Sequence, residues 1–157
     1  MTSELQSELL RATTSTFEDL AFAFPEAEIE DHQLEAPLAW GARVAFSGPV
    51  NGTLDIQVTD GVAAELAANM LGMHDASDDG MKRDALGEIA NVICGNVVPS
   101  LGKASDVFDL RSPEVYVVGT DGEETSAGAT RLVVGIDGGR AEITVRVMAH
   151  VVEGAGA

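Results

Sequence analysis

The apolar period of this chain changes from helical to strand-like and back, and that alternation limits the possible folds more than any other feature. Over residues 3–23, Leu5, Leu9, Ala12, Phe17, Leu20 and Ala21 recur every three or four positions until Pro25, which predicts a helix with one buried stripe. The period then drops to two. A weak strand is expected near 28–34, followed by "WGARVAFSG", where Val44 and Phe46 alternate with Arg43 and Ala45. In "TLDIQV", Leu54, Ile56 and Val58 share one face and Asp55 and Gln57 the other, and the turn formers of "SGPVNG" between the two runs predict a hairpin. Asp60 is placed to cap a helix over "GVAAELAANMLGM", with Val62, Leu66, Met70 and Met73 along one face. "HDASDDG" reads as a loop, and "MKRDALGEIANVICGNVVPSLG" as the longest helix. "EVYVVG", "TRLVVGID" and "AEITVRVMA" return to strands, separated by "TDGEETSAGA" and a hairpin turn at "DGGR", before a flexible tail over 153–157. Helix, strands, helix, helix, strands predicts an α/β (α+β layered) fold, long helices on a mostly antiparallel sheet.

Composition narrows the function classes. At 157 residues the chain is expected to be one domain, and no apolar run reaches the length of about 18 residues that a membrane span needs. The acidic N-terminus is unlike a signal peptide, so a cytoplasmic location is expected. A net charge of −17 repels phosphate backbones and anionic headgroups, which argues against nucleic acid and membrane partners. The lone cysteine, Cys94, reads as a small buried hydrophobe, and His32, His74 and His150 are too scattered for a zinc site, so no metal is expected of the chain itself.

One helix carries polar residues in a pattern that burial does not explain. At about 100° per residue, Asp84, Glu88, Asn91 and Gly95 fall within a sector of roughly 40°, opposite Leu86, Ile89, Ala90, Ile93 and Val97. The stripe must face solvent or a partner. Two solvated carboxylates near a helix N-terminus are favoured by its dipole, and Asn91 can be an indifferent surface residue. Gly95, however, costs about 1 kcal/mol relative to alanine, and Pro99 disfavours the helix further. A glycine in line with Asn91 leaves room for another molecule's backbone.

The spacing Asp84-x-x-x-Glu88-x-x-Asn91, with Pro113 after 21 intervening residues, resembles the signature of the CheC, CheX and FliY phosphatases. The context "EIANVICGN", together with "FEDLAF", the hairpin around "FSGPVNGTL" and "ELAANMLG", is similar to CheX-like domains in the same order, so the resemblance covers most of the chain. Aligning "TSTFEDLA" (14–21) with "DALGEIAN" (84–91) sets Thr14, Glu18 and Ala21 against Asp84, Glu88 and Asn91. A duplicated fold is expected, with a degenerate first half of about 1–75 and a motif-bearing second half of about 76–152. One intact motif resembles CheX more than CheC and implies a single active site.

The resemblance implies hydrolysis of the aspartyl phosphate of a CheY-like receiver domain. Asn91 would position the attacking water and Glu88 would pair with a receiver lysine, as the catalytic residues. Asp84, Gly95 and Pro113 would serve docking, with Pro113 shaping the adjoining loop. No cofactor of its own is implied, with Mg2+ expected in the partner receiver, and a homodimer is expected from the terminal strands. The alternative is a non-enzymatic CheX-like domain that docks a receiver or another signalling partner. "SLGK" at 100–103 lacks the companion motifs of penicillin-binding enzymes, and the glycines at 95 and 102 lack phosphate-loop spacing.

Overall fold

The computed structural model describes residues 2–72, 78–119 and 129–148. The chain opens with helix α1 (Thr2–Ala21), which ends two residues earlier than expected because Phe22 (φ 52°) turns the backbone out of the helix ahead of Pro25. Ala23 then donates its N–H to the Phe17 carbonyl at 3.1 Å. The strand expected near 28–34 is instead the short helix α2 (Asp31–Glu35). Its capping box explains the difference. Glu30 N–H donates to Gln33 Oε1 at 2.8 Å, and Gln33 Nε2 donates to the Asp137 carbonyl at 2.8 Å, so local capping outweighs a weak alternation.

Strands β1 (Leu38–Ser47) and β2 (Asn51–Thr59) form the expected hairpin, with Val44 opposite Leu54 and Ala42 opposite Ile56. Helix α3 (Asp60–Leu71) follows, and Thr59 rather than Asp60 stands at its N-cap. The Asp60 carboxylate is drawn elsewhere, to Trp40 and Lys82. Val62 and Leu66 are buried and Met70 packs against the core, while Met73 and His74 lie outside the described residues. Helix α4 (Asp79–Val97) starts where Asp78 Oδ1 accepts the Gly80 N–H at 2.7 Å, and runs into a 3-10 turn over Val98–Leu101. At 19 residues it is one shorter than α1, so the longest helix is the first.

Two short strands, β3 (Asp109–Leu110) and β4 (Glu114–Val117), share the outer side of β1, and β5 (Thr130–Ile136) and β6 (Gly139–Met148) make a second hairpin. The sequence did not indicate β3, which is only two residues long. The order β3-β1-β2-β6-β5, with β4 also on β1, is antiparallel at every pairing among the described strands. This is the layered fold that the sequence predicts. Val44, Phe46, Leu54, Ile56, Val58, Ile136, Ile143 and Val145 meet α1, α3 and α4 in one core.

The other sheet face is polar, as alternation requires of an antiparallel sheet covered on one side. At its centre Asp55 is only 5% exposed and accepts from Arg43 Nε at 3.0 and 3.1 Å, Arg146 Nη1 at 3.3 Å and the Tyr116 hydroxyl at 2.8 Å. Tyr116 reaches Asp55 across Gly41, where any Cβ would run into its ring. Burial first, and then the neighbouring Asp55 charge, push the Tyr116 phenol up to about 12. Arg140, on the same face, donates to the carbonyls of Gln33, Leu34 and Ala36 and so satisfies the end of α2.

Candidate functional site

Helix α4 holds four of the five residues singled out from the sequence, and its own burial pattern sets their direction. Leu86, Ile89, Ala90, Ile93 and Val97 are at most 1% exposed. Burying each of the larger ones contributes about 1.5–3 kcal/mol, which fixes the rotation of the helix about its axis. Asp84, Glu88 and Gly95 are consequently exposed and Asn91 is half-buried, along the single stripe that the sequence predicts. Among the described residues, none of the Asp84, Glu88 and Asn91 side chains has a hydrogen-bond or ion-pair partner. Their local cost is not offset by any such contact among the described residues. Asp84 and Glu88, like charges four residues apart, destabilise the helix by about 0.2–0.5 kcal/mol, and Gly95 adds about 1 kcal/mol.

Contacts at both ends hold the stripe in place. Trp40 Nε1 and Lys82 Nζ converge on Asp60 Oδ1 at 2.9 and 3.0 Å, which ties the first turn of α4 to the starts of β1 and α3. Hydrogen bonds from Lys82 and then Trp40 hold the Asp60 carboxyl below its usual range. The Arg83 guanidinium lies 5.3 Å from the Trp40 ring centroid, and its Nη1 donates to the Val115 carbonyl at 3.3 Å. At the other end Ser100 Oγ donates to the Val97 carbonyl at 2.7 Å, where Pro99 turns the helix into its 3-10 extension. Cys94 is fully buried and burial pushes its thiol up to about 12, the inert hydrophobe expected.

Pro113 sits beside the stripe, not on it. A Cβ at Gly87 would lie 3.6 Å from Pro113 Cγ and from Val115 Cγ2, so the link between β3 and β4 borders the helix on one side. The same link borders Gly95 loosely: a Cβ there would meet only Leu110 Cδ2, at 4.0 Å. The first-half position aligned with Asn91 presents nothing, since Ala21 is fully buried in α1, while Thr14 is half-buried and Glu18 exposed. The anchors Trp40, Lys82 and Arg83 were not singled out from the sequence, and Asp60 was expected only as an N-cap. Lys82 and Asp60 are 22 positions apart, and no local spacing announces their meeting.

An exposed helical stripe is convex, so it cannot enclose a small substrate or exclude water from one. Its chemistry needs a partner that brings the cavity. The chain has a cavity of about 370 Å³ elsewhere, lined by Phe22, Phe24, Glu65 and Asp137 among others, and no residue of the stripe reaches it. There the Asp137 carboxylate, hydrogen-bonded to Glu65, pushes that carboxyl up to about 7. Among the described residues no group of three or more His, Cys, Asp or Glu could hold a metal ion, and no helix is long and apolar enough to cross a membrane.

Comparisons with known proteins bear on the family and the fold. No curated protein matches the chain. The family model "Chemotaxis phosphatase CheX" matches residues 40–137. The chain is similar to the solved CheX from Desulfovibrio desulfuricans, with 21% identity, a TM-score of 0.73, and 92% of this chain and 99% of that one covered. It is also similar to CheX from Vibrio vulnificus, at 18% identity and TM-score 0.73 over 94% and 99% of the two chains. A CheX–CheY–BeF3–Mg2+ complex from Borrelia burgdorferi matches at 20% identity and TM-score 0.67 over 91% and 97%. The family match spans more than half of the chain and includes both the α4 stripe and Pro113, and the chain belongs to the CheX family of chemotaxis phosphatases.

Proposed function

We propose that this chain hydrolyses the aspartyl phosphate of a CheY-like receiver domain, with Asn91 positioning the attacking water and Glu88 docking the receiver. The observation that carries this reading is the unpartnered Glu88 and Asn91 on a convex, rigidly anchored helix, in a chain of the chemotaxis phosphatase family. The Borrelia neighbour, a CheX in complex with CheY, supports the choice of partner. In the reaction, a water oxygen attacks phosphorus in line with the acyl oxygen. The P–O bond to the aspartate breaks, and inorganic phosphate and a free carboxylate result. The receiver supplies Mg2+ and most of the charge stabilisation, so the entering helix needs only to orient one water. A neutral carboxamide accepts a water proton through its oxygen and donates through its NH2, and it adds no charge beside the phosphoryl group. Glu88, one turn away, offers a carboxylate to a lysine of the receiver, and Asp84 adds a second contact at the edge.

The direct test is the decay of radiolabelled phosphate on a panel of receivers, including those of the same organism, in the presence of Mg2+. Faster decay of at least one receiver when the chain is added is expected. Unchanged decay across the panel overturns the phosphatase reading in favour of a non-enzymatic docking domain.

Gly95 separates the demands of folding from those of docking. The Gly95→Ala variant meets no steric obstacle among the described residues and removes a helix-disfavouring residue. Its stability is expected to rise by about 1 kcal/mol in a denaturant titration. If a receiver backbone passes over this position, KM for the phosphorylated receiver rises several-fold in the same variant. A stabler variant with unaltered KM removes Gly95 from the docking surface.

A further inference from the structure

The cavity away from the stripe brings together two carboxyl groups from distant parts of the chain. Glu65 comes from α3 and Asp137 from the turn between β5 and β6, and the two are hydrogen-bonded to each other. Carboxylates only accept, so such a bond exists only while one of the pair carries a proton. The rest of the charged wall is acidic as well. Glu26 lies on the segment before α2 and Glu30 at its N-cap, while His32 of α2 has its Nδ1 3.6 Å from Glu30 Oε1. Among the described residues no lysine or arginine lines the cavity. The charged groups of the other elements packed against α3 are engaged elsewhere or form no part of this wall. Lys82 of α4 is held by Asp60, and Arg140 of β6 by Glu142 and the carbonyls of Gln33, Leu34 and Ala36. Arg43 and Asp55 of β1 and β2 pair on the far face of the sheet, and Glu18 and Asp19 of α1 do not line the cavity.

We propose that Glu65 and Asp137 share one proton in this cavity and act as a pH-sensitive clasp, which fastens α3 to the β5–β6 turn and loosens when the proton leaves. The turn bears on more than its own residues. The Asp137 carbonyl accepts from Gln33 Nε2 at 2.8 Å, and the same Gln33 closes the capping box of α2. Gly135, just before the turn, exchanges both backbone hydrogen bonds with Glu26, at 2.8 and 2.9 Å. One proton therefore acts on α3, on the turn and on the segment between α1 and α2. Glu65 is half-buried and Asp137 exposed, so the proton resides on Glu65, whose ionised form would lose water and face Asp137 within hydrogen-bonding reach. The hydrogen bond to Asp137, and then burial, raise the Glu65 carboxyl from its usual 4.5 to about 7. Between those two values the folded chain holds a proton that the unfolded chain has released. The clasp thus contributes its full stability below about 4.5 and loses it as pH rises through about 7.

The test compares the full chain with two variants. Glu65→Gln supplies an amide that donates to Asp137 at every pH. Asp137→Asn supplies one that donates to Glu65, and asparagine tolerates the left-handed backbone at this position (φ 49°). Denaturant unfolding is followed from about pH 5.5 to about pH 8, and the Glu65 carboxyl is titrated through its carbon resonance by NMR. Over this interval the unfolding equilibrium constant of the unaltered chain is expected to rise about tenfold more than that of Glu65→Gln, short of the full linkage because solvent reaches Asp137. Histidine titration is common to both chains and cancels in the comparison. The Glu65 resonance is expected to titrate near 7 in the unaltered chain and towards 4.5 in Asp137→Asn. The Gln33 side-chain amide resonances are expected to shift with the same midpoint, because their acceptor is the Asp137 carbonyl. A Glu65 carboxyl that titrates near 4.5 in the unaltered chain overturns the shared proton. Equal pH dependence of unfolding in the unaltered chain and Glu65→Gln overturns the clasp, as does a Gln33 amide that stays put while Glu65 titrates. The resonance titration of the unaltered chain decides the matter even where a variant fails to fold.

Discussion

Replacing Asn91 by alanine is expected to lower kcat for receiver dephosphorylation by about 100-fold or more while KM and stability stay nearly constant. The magnitude follows from what the residue is asked to do. Misplacing a reacting group by about 1 Å costs about 100-fold, equivalent to about 2.7 kcal/mol of barrier, and alanine removes the orienting amide altogether. The fold should not notice. The Asn91 side chain is half-buried, has no hydrogen-bond partner among the described residues, and lies on a helix where alanine is the better helix former. A denaturation midpoint within the equivalent of about 0.5 kcal/mol is therefore the control that the loss is chemical. Glu88→Ala should behave differently, with KM rising more than kcat falls, because a docking contact is lost before the reaction begins. Turnover by Asn91→Ala at the normal rate would end the water-positioning role, whatever became of Glu88.

The order of elements and the direction of the α4 stripe were legible because both depend on local period. Leu86, Ile89, Ile93 and Val97 define a buried arc within one helix, and the opposite arc follows from geometry alone. The strand faces were legible for the same reason, Leu54 and Ile56 inward and Gln57 outward. What local period cannot report is which distant residue completes a contact. The weak alternation over 28–34 was overridden by Gln33, which bonds both the Glu30 N–H and the Asp137 carbonyl, the latter 104 residues away. Asp60 stands where an N-cap belongs, yet Lys82 and Trp40 recruit it to fasten α4. The alignment of Asp84, Glu88 and Asn91 on one exposed stripe could be read from spacing, but the contacts that hold that stripe still could not.

The same limit hid the second large effect, at Asp55, which the sequence places merely on a polar face. Asp55→Ala is expected to cost about 2–3 kcal/mol of stability, and to raise KM for the receiver although the residue lies on the sheet face opposite the helices. Removing one partner from a buried ion pair costs about 3–5 kcal/mol, because the desolvated charge loses that compensation. The lower figure applies here, since the Arg43 side chain is 45% exposed and water can resolve part of its charge. Arg146 at 23% and the Tyr116 hydroxyl, which donates a hydrogen bond to Asp55, have less access to water. The effect on KM travels through β4. That strand is four residues long, pairs with β1 over Trp40–Arg43, and is further secured by Tyr116 across Gly41 to Asp55. Val115 on the same strand receives the Arg83 guanidinium and, with Pro113, borders Gly87 of α4. Loosening β4 therefore slackens one wall of the docking surface. Tyr116→Phe isolates the link, because it deletes the hydroxyl and keeps the ring: about 1 kcal/mol of stability and a smaller rise in KM are expected. Asp55→Leu combined with Arg43→Leu and Arg146→Met removes the buried charges together and should recover most of the stability lost by Asp55→Ala. A Cm shift for Asp55→Ala equivalent to less than about 0.5 kcal/mol would mean that Asp55 adds little to the stability of this face, and that β4 is held by its backbone pairing.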